Sequence, residues 1–289
     1  MKKLLPFLCV WLLFSAGCQG TPSATQPART GQNYNYSAFS GMENAFAEDE
    51  ATSLDAYYLG RAVAANILAS YKPYTANAAL TGYVNSICQA IAINSVYPDF
   101  FNGYHVIILD SPEFNALASP GGHIFLTRGL VEAAGSEDML AAIIAHELAH
   151  VMLKHSLSII EDIRLHDEMS AMADRAAQFA GNSEAATKLM YFRNSVAATV
   201  DALVKNGYSQ DQEFEADAGA VVLMAAAGYN PIALLEMLSI LQKVQSSQKG
   251  GFNTTHPSPA DRIDNASRYV AEYPVKDTRA SRASRFKNK

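Results

Sequence analysis

The sequence predicts an α+β fold, predominantly helical with a small antiparallel sheet. Three observations predict it. Apolar residues recur three and four apart across residues 54–71 and about 75–94, the period of an amphipathic helix. The period then shortens: YHVIIL (104–109), FNALA (114–118) and HIFLT (123–127) are short and apolar, and in part β-branched, as strands are. Beyond Ser136 the helical spacing returns and holds almost to the end. With 289 residues, 49% of them hydrophobic and 17% charged, the chain has ample material for a core.

Taken in order, Ser53 is an N-cap candidate for LDAYYLGRAVAANILASY (54–71). A second helix follows from about Thr75 to Asn94. PGG (120–122) supplies a turn between the second and third strands. Helices are expected at about 137–155, 157–180, 184–205, 210–227, 231–247 and 259–272. The breaks fall at GNS (181–183), NGYS (206–209), GYNP (228–231) and GGFNTTHPSP (250–259), where Gly, Asn and Pro collect. No repeat of 20–50 residues marks a solenoid. A net charge of −6 and a pI near 5.6 argue against a nucleic-acid partner.

The N-terminus reads as a targeting segment. Lys2 and Lys3 precede an apolar run, LLPFLCVWLLF (4–14), too short for a comfortable membrane span. SAGC (15–18) follows and resembles a bacterial lipobox, although Ser15 stands where Leu is usual. That resemblance implies a signal peptide over 1–17, cleavage before Cys18, and a lipid on Cys18 that ties the chain to the membrane. Gln19, rather than Asp, after the cysteine favours an outer-membrane lipoprotein facing the periplasm, as in Gram-negative bacteria. Residues 18–50, rich in Ser, Thr, Pro, Gln, Asn and Gly, read as a flexible tether. The folded domain is expected over 51–275, and a disordered polar tail over 276–289. With Cys9 removed and Cys18 acylated, Cys88 is left alone as a buried small hydrophobe, with no disulfide partner.

The chemistry gathers at HELAH (146–150). Ser136 can cap its helix, and Glu137 and Asp138 suit the positive end of the helix dipole. Leu140, Ile143, Ile144, Leu148, Val151 and Met152 form the expected core stripe. His146 and His150 are four apart, so they project from one face as two nitrogen ligands of a tetrahedral zinc would. Glu147 sits beside a ligand, where a carboxylate can take a proton from water in the open coordination position. The alternative is a pair of satisfied core histidines. A catalytic zinc needs a third protein ligand. SQDQEFEADAGA (209–220) opens with a capping box, Ser209 and Gln212, and carries Glu213 and Asp217 on one helix face. Glu213 can ligate. Asp217 can accept the second ring N–H of a ligand histidine. Glu215 is expected to point elsewhere, as a solvated carboxylate.

HELAH followed by EFEAD (213–217), an HExxH…ExxAD pair, resembles the gluzincin metallopeptidases related to the CAAX prenyl proteases, HtpX and Oma. NALASPGGHIFLTRGL (115–130) is similar to the family's segment before the zinc helix, and THPSPADRI (255–263) to its late His-Pro motif. The resemblance covers roughly residues 55–272. With no transmembrane helices read from the sequence, the chain looks most like the short periplasmic lipoprotein branch, of the LoiP kind, or BepA-like without the tetratricopeptide repeats. The resemblance implies a zincin-like metallopeptidase domain. One Zn2+ per chain would be held by His146, His150 and Glu213, with Glu147 as general base and Asp217 orienting a ligand. Asn115 and Ala116 match the strand that pairs with the substrate backbone. His256 is implied as a catalytic donor, or as a latch on the open coordination position. Arg262 is open between an oxyanion contact and a salt bridge, and Tyr208 is a further donor candidate. His155, five beyond His150, is expected on another face; His166, His105 and His123 read as surface positions, with a substrate contact left open for His123.

The expected activity is zinc-dependent endopeptidase action on unfolded or misassembled envelope proteins. The expected partners are those substrates and the membrane through the N-terminal lipid, with a homo-oligomer left open. The alternatives are a periplasmic chaperone or assembly factor with a closed metal site, and a structural zinc protein.

Overall fold

The computed structural model describes Phe39 and residues 50–98, 103–157, 190, 193–194, 196–197, 199–201, 203, 207–245, 258–273 and 279–287. Cys18, His166, His256 and nearly all of the expected helix over 157–180 lie outside the described residues. Among the described residues no helix is long and apolar enough to cross a membrane.

Two helices lead into the sheet. Helix α1 spans Glu50–Ser70, and α2 spans Ala78–Ala92, where the Asn77 side chain accepts the Leu80 N–H. The strands are β1 (His105–Leu109), β2 (Ala116–Ser119) and β3 (His123–Thr127). They lie in the order β1-β3-β2. The PGG turn makes β2 and β3 antiparallel, with Ala116 opposite Leu126. β1 and β3 are parallel, His105 opposite His123, so the sheet is mixed rather than wholly antiparallel. The reason is the connection over 110–115. It crosses the end of β3, where Gly129 N–H donates to Ser111 O, and delivers the next strand to the far side. Alternation along a strand says nothing of such a crossing.

The two sheet edges are treated differently. Asn85 of α2 donates to Val106 O and accepts Val106 N–H, and Gln89 donates to Tyr104 O. Tyr74 N–H donates to Ile108 O and Asp110 N–H to Lys72 O. These contacts close the outer edge of β1, as an exposed edge requires. β2 forms the other edge.

A short helix α3 (Arg128–Ala133) leads to α4 (Glu137–Met152), which Ser136 caps by accepting the Met139 N–H. Every residue from Leu140 to Met152 is buried. α4 is therefore a central helix, not one with a single core stripe; Glu137 and Asp138 pair with Arg285 and Arg282, and His146 and Glu147 line an internal cavity. Four helices complete the described fold: α5 (Gln210–Ala226), α6 (Ile232–Gln245), α7 (Pro259–Val270) and α8 (Arg279–Lys287). The expected capping box at Ser209 and Gln212 opens α5. Gly219 lets α5 approach α4: a Cβ there would stand 3.0 Å from the Ala149 Cβ and 3.0 Å from the ring of Phe39. Phe39 is buried in this core, although it lies in the segment expected as a tether. Residues 279–287 are helical where a disordered tail was expected. Arg282 of α8 binds Asp138 through two bonds of 2.8 and 2.9 Å and explains why α8 docks.

Candidate active site

α4 and α5 cross at the polar residues of both. His146 Nε2 and His150 Nε2 face each other at 3.0 Å. Glu213 presents Oε2 to His146 Nε2 at 3.5 Å and Oε1 to His150 Nε2 at 3.4 Å. All three residues are buried, and one ligand atom from each lies within 4.8 Å of the others. Nitrogens on one tetrahedral zinc stand about 3.3 Å apart, given bonds of about 2.0–2.1 Å. The donor set, its spacing and its burial fit that ion.

The ligand candidates are held from behind. Asp217 Oδ1 lies 3.0 Å from His146 Nδ1, the contact expected of it. Arg262 enters from α7, and at 2% exposure it is the largest fully buried side chain among the described residues. Its guanidinium donates to Asp217 at 2.7 and 2.8 Å and stands 2.8 Å from Glu213 Oε2. Of the two roles left open for Arg262, the ion pair is the one observed. Burial and Arg262 both oppose charge on His146, yet Asp217 and Glu213 overcome them and hold it up at about 9. Burial also opposes charge on Asp217, and Arg262 overcomes that to hold the carboxyl low. His150 is pushed well below the usual imidazole range, by burial first and then by His146.

Glu147 is fully buried. With His146 and Arg262 it lines a cavity whose other walls are apolar, including Leu130, Ile143, Leu234, Leu238 and Leu241. Tyr208 stacks on the His150 ring, centroids 3.9 Å apart and planes 14° off parallel.

His155 and His123 stand elsewhere than the sequence suggested, and Glu215 gains a partner that it did not indicate. α4 ends at Met152, and Lys154 takes a left-handed φ of 56° before the chain turns helical again at His155. The turn brings His155 Nδ1 to 2.8 Å from His150 Nδ1, so it does not sit on an unrelated face. Glu215 is exposed, as expected, but it also pairs with His155 Nε2 at 3.1 Å. Leu153 and Lys154 carry no Gly, Pro or Asn signal for this break. His123, expected at the surface, is partly buried, which lowers its pKa. Asn115 turns its backbone inward, donating to Thr127 Oγ1 and accepting from Thr127 N–H. Ala116 N–H is held instead by the Asn115 side chain at 3.0 Å.

An HExxH helix crossed by a helix that brings a glutamate to the same point defines the gluzincin class of metal site. The chain belongs to Peptidase family M48, whose profile matches residues 78–270. It is 26% identical to the beta-barrel assembly-enhancing protease of Escherichia coli K12 over 191 residues, 65% of this chain and 38% of that protein. It is 28% identical to the mitochondrial metalloendopeptidase OMA1 of Schizosaccharomyces pombe over 212 residues, 73% of this chain and 57% of that one. The chain thus spans well under two thirds of these relatives.

Proposed function

We propose that this chain is a zinc-dependent endopeptidase that cleaves unfolded or misassembled envelope proteins from a lipid anchor at Cys18. The observation that carries the activity is the convergence of His146, His150 and Glu213 beside the buried Glu147. His146, His150 and Glu213 would hold a zinc ion, which would supply a Lewis acid and lower the pKa of a bound water to about 7. Glu147 then serves as the base that takes the water proton and returns it to the leaving amine. Arg262 and Asp217 keep the ligand set oriented, and the apolar wall excludes bulk water. The substrate lies extended along the edge that β2 forms, the strand that Asn115 and Ala116 open. A large apolar side chain of the substrate enters the cavity lined by Leu130, Leu234 and Leu238, a burial worth about 1.5–3 kcal/mol. His256 is the proposed donor to the tetrahedral transition state.

The lipobox-like SAGC supports the anchor and the periplasmic side, and the name of one relative, a beta-barrel assembly-enhancing protease, supports a protease linked to beta-barrel assembly. The test is cleavage of unfolded casein by the purified full-length chain in detergent, with zinc content measured. Glu147→Gln is expected to keep its zinc and lose about 10²–10⁴-fold in rate. His256→Ala is expected to be slower if the residue is a donor; faster cleavage would make it a latch. A zinc-loaded wild type that cleaves no unfolded substrate would sink the peptidase reading and favour a chaperone or assembly factor.

A further inference from the structure

We infer that His155 and Glu215 form a relay that sets the tautomer and ring orientation of His150, and so readies its Nε2 for the metal. The inference rests on the zinc-site reading. A ligating histidine normally donates its second N–H to a carboxylate, a carbonyl or water. His146 follows that rule through Asp217 at 3.0 Å. His150 does not: its Nδ1 faces another imidazole nitrogen, His155 Nδ1, at 2.8 Å.

Two facing ring nitrogens form a hydrogen bond only if one carries the proton and the other a lone pair. The choice is made one step further out. Glu215 Oε2 lies 3.1 Å from His155 Nε2, and a carboxylate only accepts. A neutral His155 therefore carries its proton on Nε2 and a lone pair on Nδ1. His150 must then donate from Nδ1, which leaves the lone pair on Nε2, facing His146 and Glu213. The opposite tautomer of His155 would put a proton on its Nδ1. His150 Nδ1 would have to accept it, and a neutral His150 would then carry its proton on Nε2, where it cannot ligate. A surface carboxylate, 61% exposed, thus decides the state of a fully buried ligand through one intervening ring. Tyr208 stacked on His150 keeps that ring from rotating away.

Zinc affinity is the direct readout, measured on the full-length chain by competition with a chromophoric chelator. The melting temperature of the metal-free protein and casein cleavage by the zinc-loaded protein are recorded alongside. His155→Ala is expected to weaken zinc binding about 10–100-fold. His155→Asn, whose Oδ1 can replace the accepting Nδ1, is expected to restore most of it. Glu215→Ala lies at the surface and leaves the fold intact. It is expected to weaken zinc about 2- to 10-fold, the worth of one net hydrogen bond, at an unchanged melting temperature. Wild-type zinc affinity in both His155→Ala and Glu215→Ala overturns the relay. So does an Asn variant as weak as the Ala variant with an equal drop in melting temperature, which makes His155 a packing residue. A wild type that binds zinc without cleaving casein counts against the peptidase reading and leaves the relay standing, because affinity is read independently of activity.

Discussion

Arg262 carries its charge in the interior because Glu213 and Asp217 face it, and all three side chains are at most 2% exposed. Removing one member of such a cluster leaves a buried carboxylate without its counter-charge, which costs about 3–5 kcal/mol. Arg262→Ala is expected to lose that much in urea denaturation and to retain zinc poorly. Arg262→Lys recovers only part, because an ammonium cannot hold two carboxylates as a planar fork does. Cys88 makes a quieter case. Burial pushes its thiol from an ordinary value near 9 up to about 12. Between those values the folded chain keeps the proton and the unfolded chain loses it, so this group's contribution to stability falls as pH rises through that window. At pH 8 Cys88 is expected to resist a thiol-labelling reagent until urea unfolds the chain. Prompt labelling of the native protein would contradict its burial.

At the scale of elements, α8 contributes one arginine buried with its carboxylate and one solvated arginine that reaches a buried carboxylate. Arg282 and Asp138 are both under 10% exposed, with a further bond from Arg282 to Gly228 O at 3.1 Å. Arg285 is 58% exposed and bonds Glu137, the first residue of α4. Arg282→Ala is expected to destabilise by about 3–5 kcal/mol, and Arg285→Ala by less, because the Tyr83 and Tyr229 hydroxyls still donate to Glu137. Equal effects in chemical denaturation would mean that α8 is not docked as described. The break at Lys154 matters in the same way. A continuous α4 would carry His155 away from His150. The left-handed residue, unfavourable by about 1–2 kcal/mol outside glycine, is tolerated where it returns a second-layer histidine to the site.

For the whole molecule, the site joins α4, α5 and α7, so a metal bound there ties distant parts of the chain together. Zinc that binds the folded chain and not the unfolded one adds about 4 kcal/mol when its concentration is a thousandfold above Kd. Chelation is expected to lower the melting temperature of the wild type. It should leave that of Glu213→Ala unchanged, because that variant lacks a ligand. If both shift alike, the chelator acts elsewhere.

The sequence by itself determined the helical class, the three strand segments, the caps at Ser136 and Ser209, and the cluster of His146, His150 and Glu213. These are local or periodic properties: an i,i+4 spacing and a capping box follow from helix geometry alone, and an HExxH…ExxAD pair announces the chemistry it serves. Tertiary structure alone decided the parallel pairing of β1 with β3, the full burial of α4, the docking of α8 and the commitment of Arg262 to Glu213 and Asp217. It alone turned His155 back onto His150 and so brought Glu215 into the site. Each of these depends on segments far apart in the chain, or on one backbone angle that no turn residue marks. Spacing shows which groups can share a face of their own helix; only packing shows what meets that face.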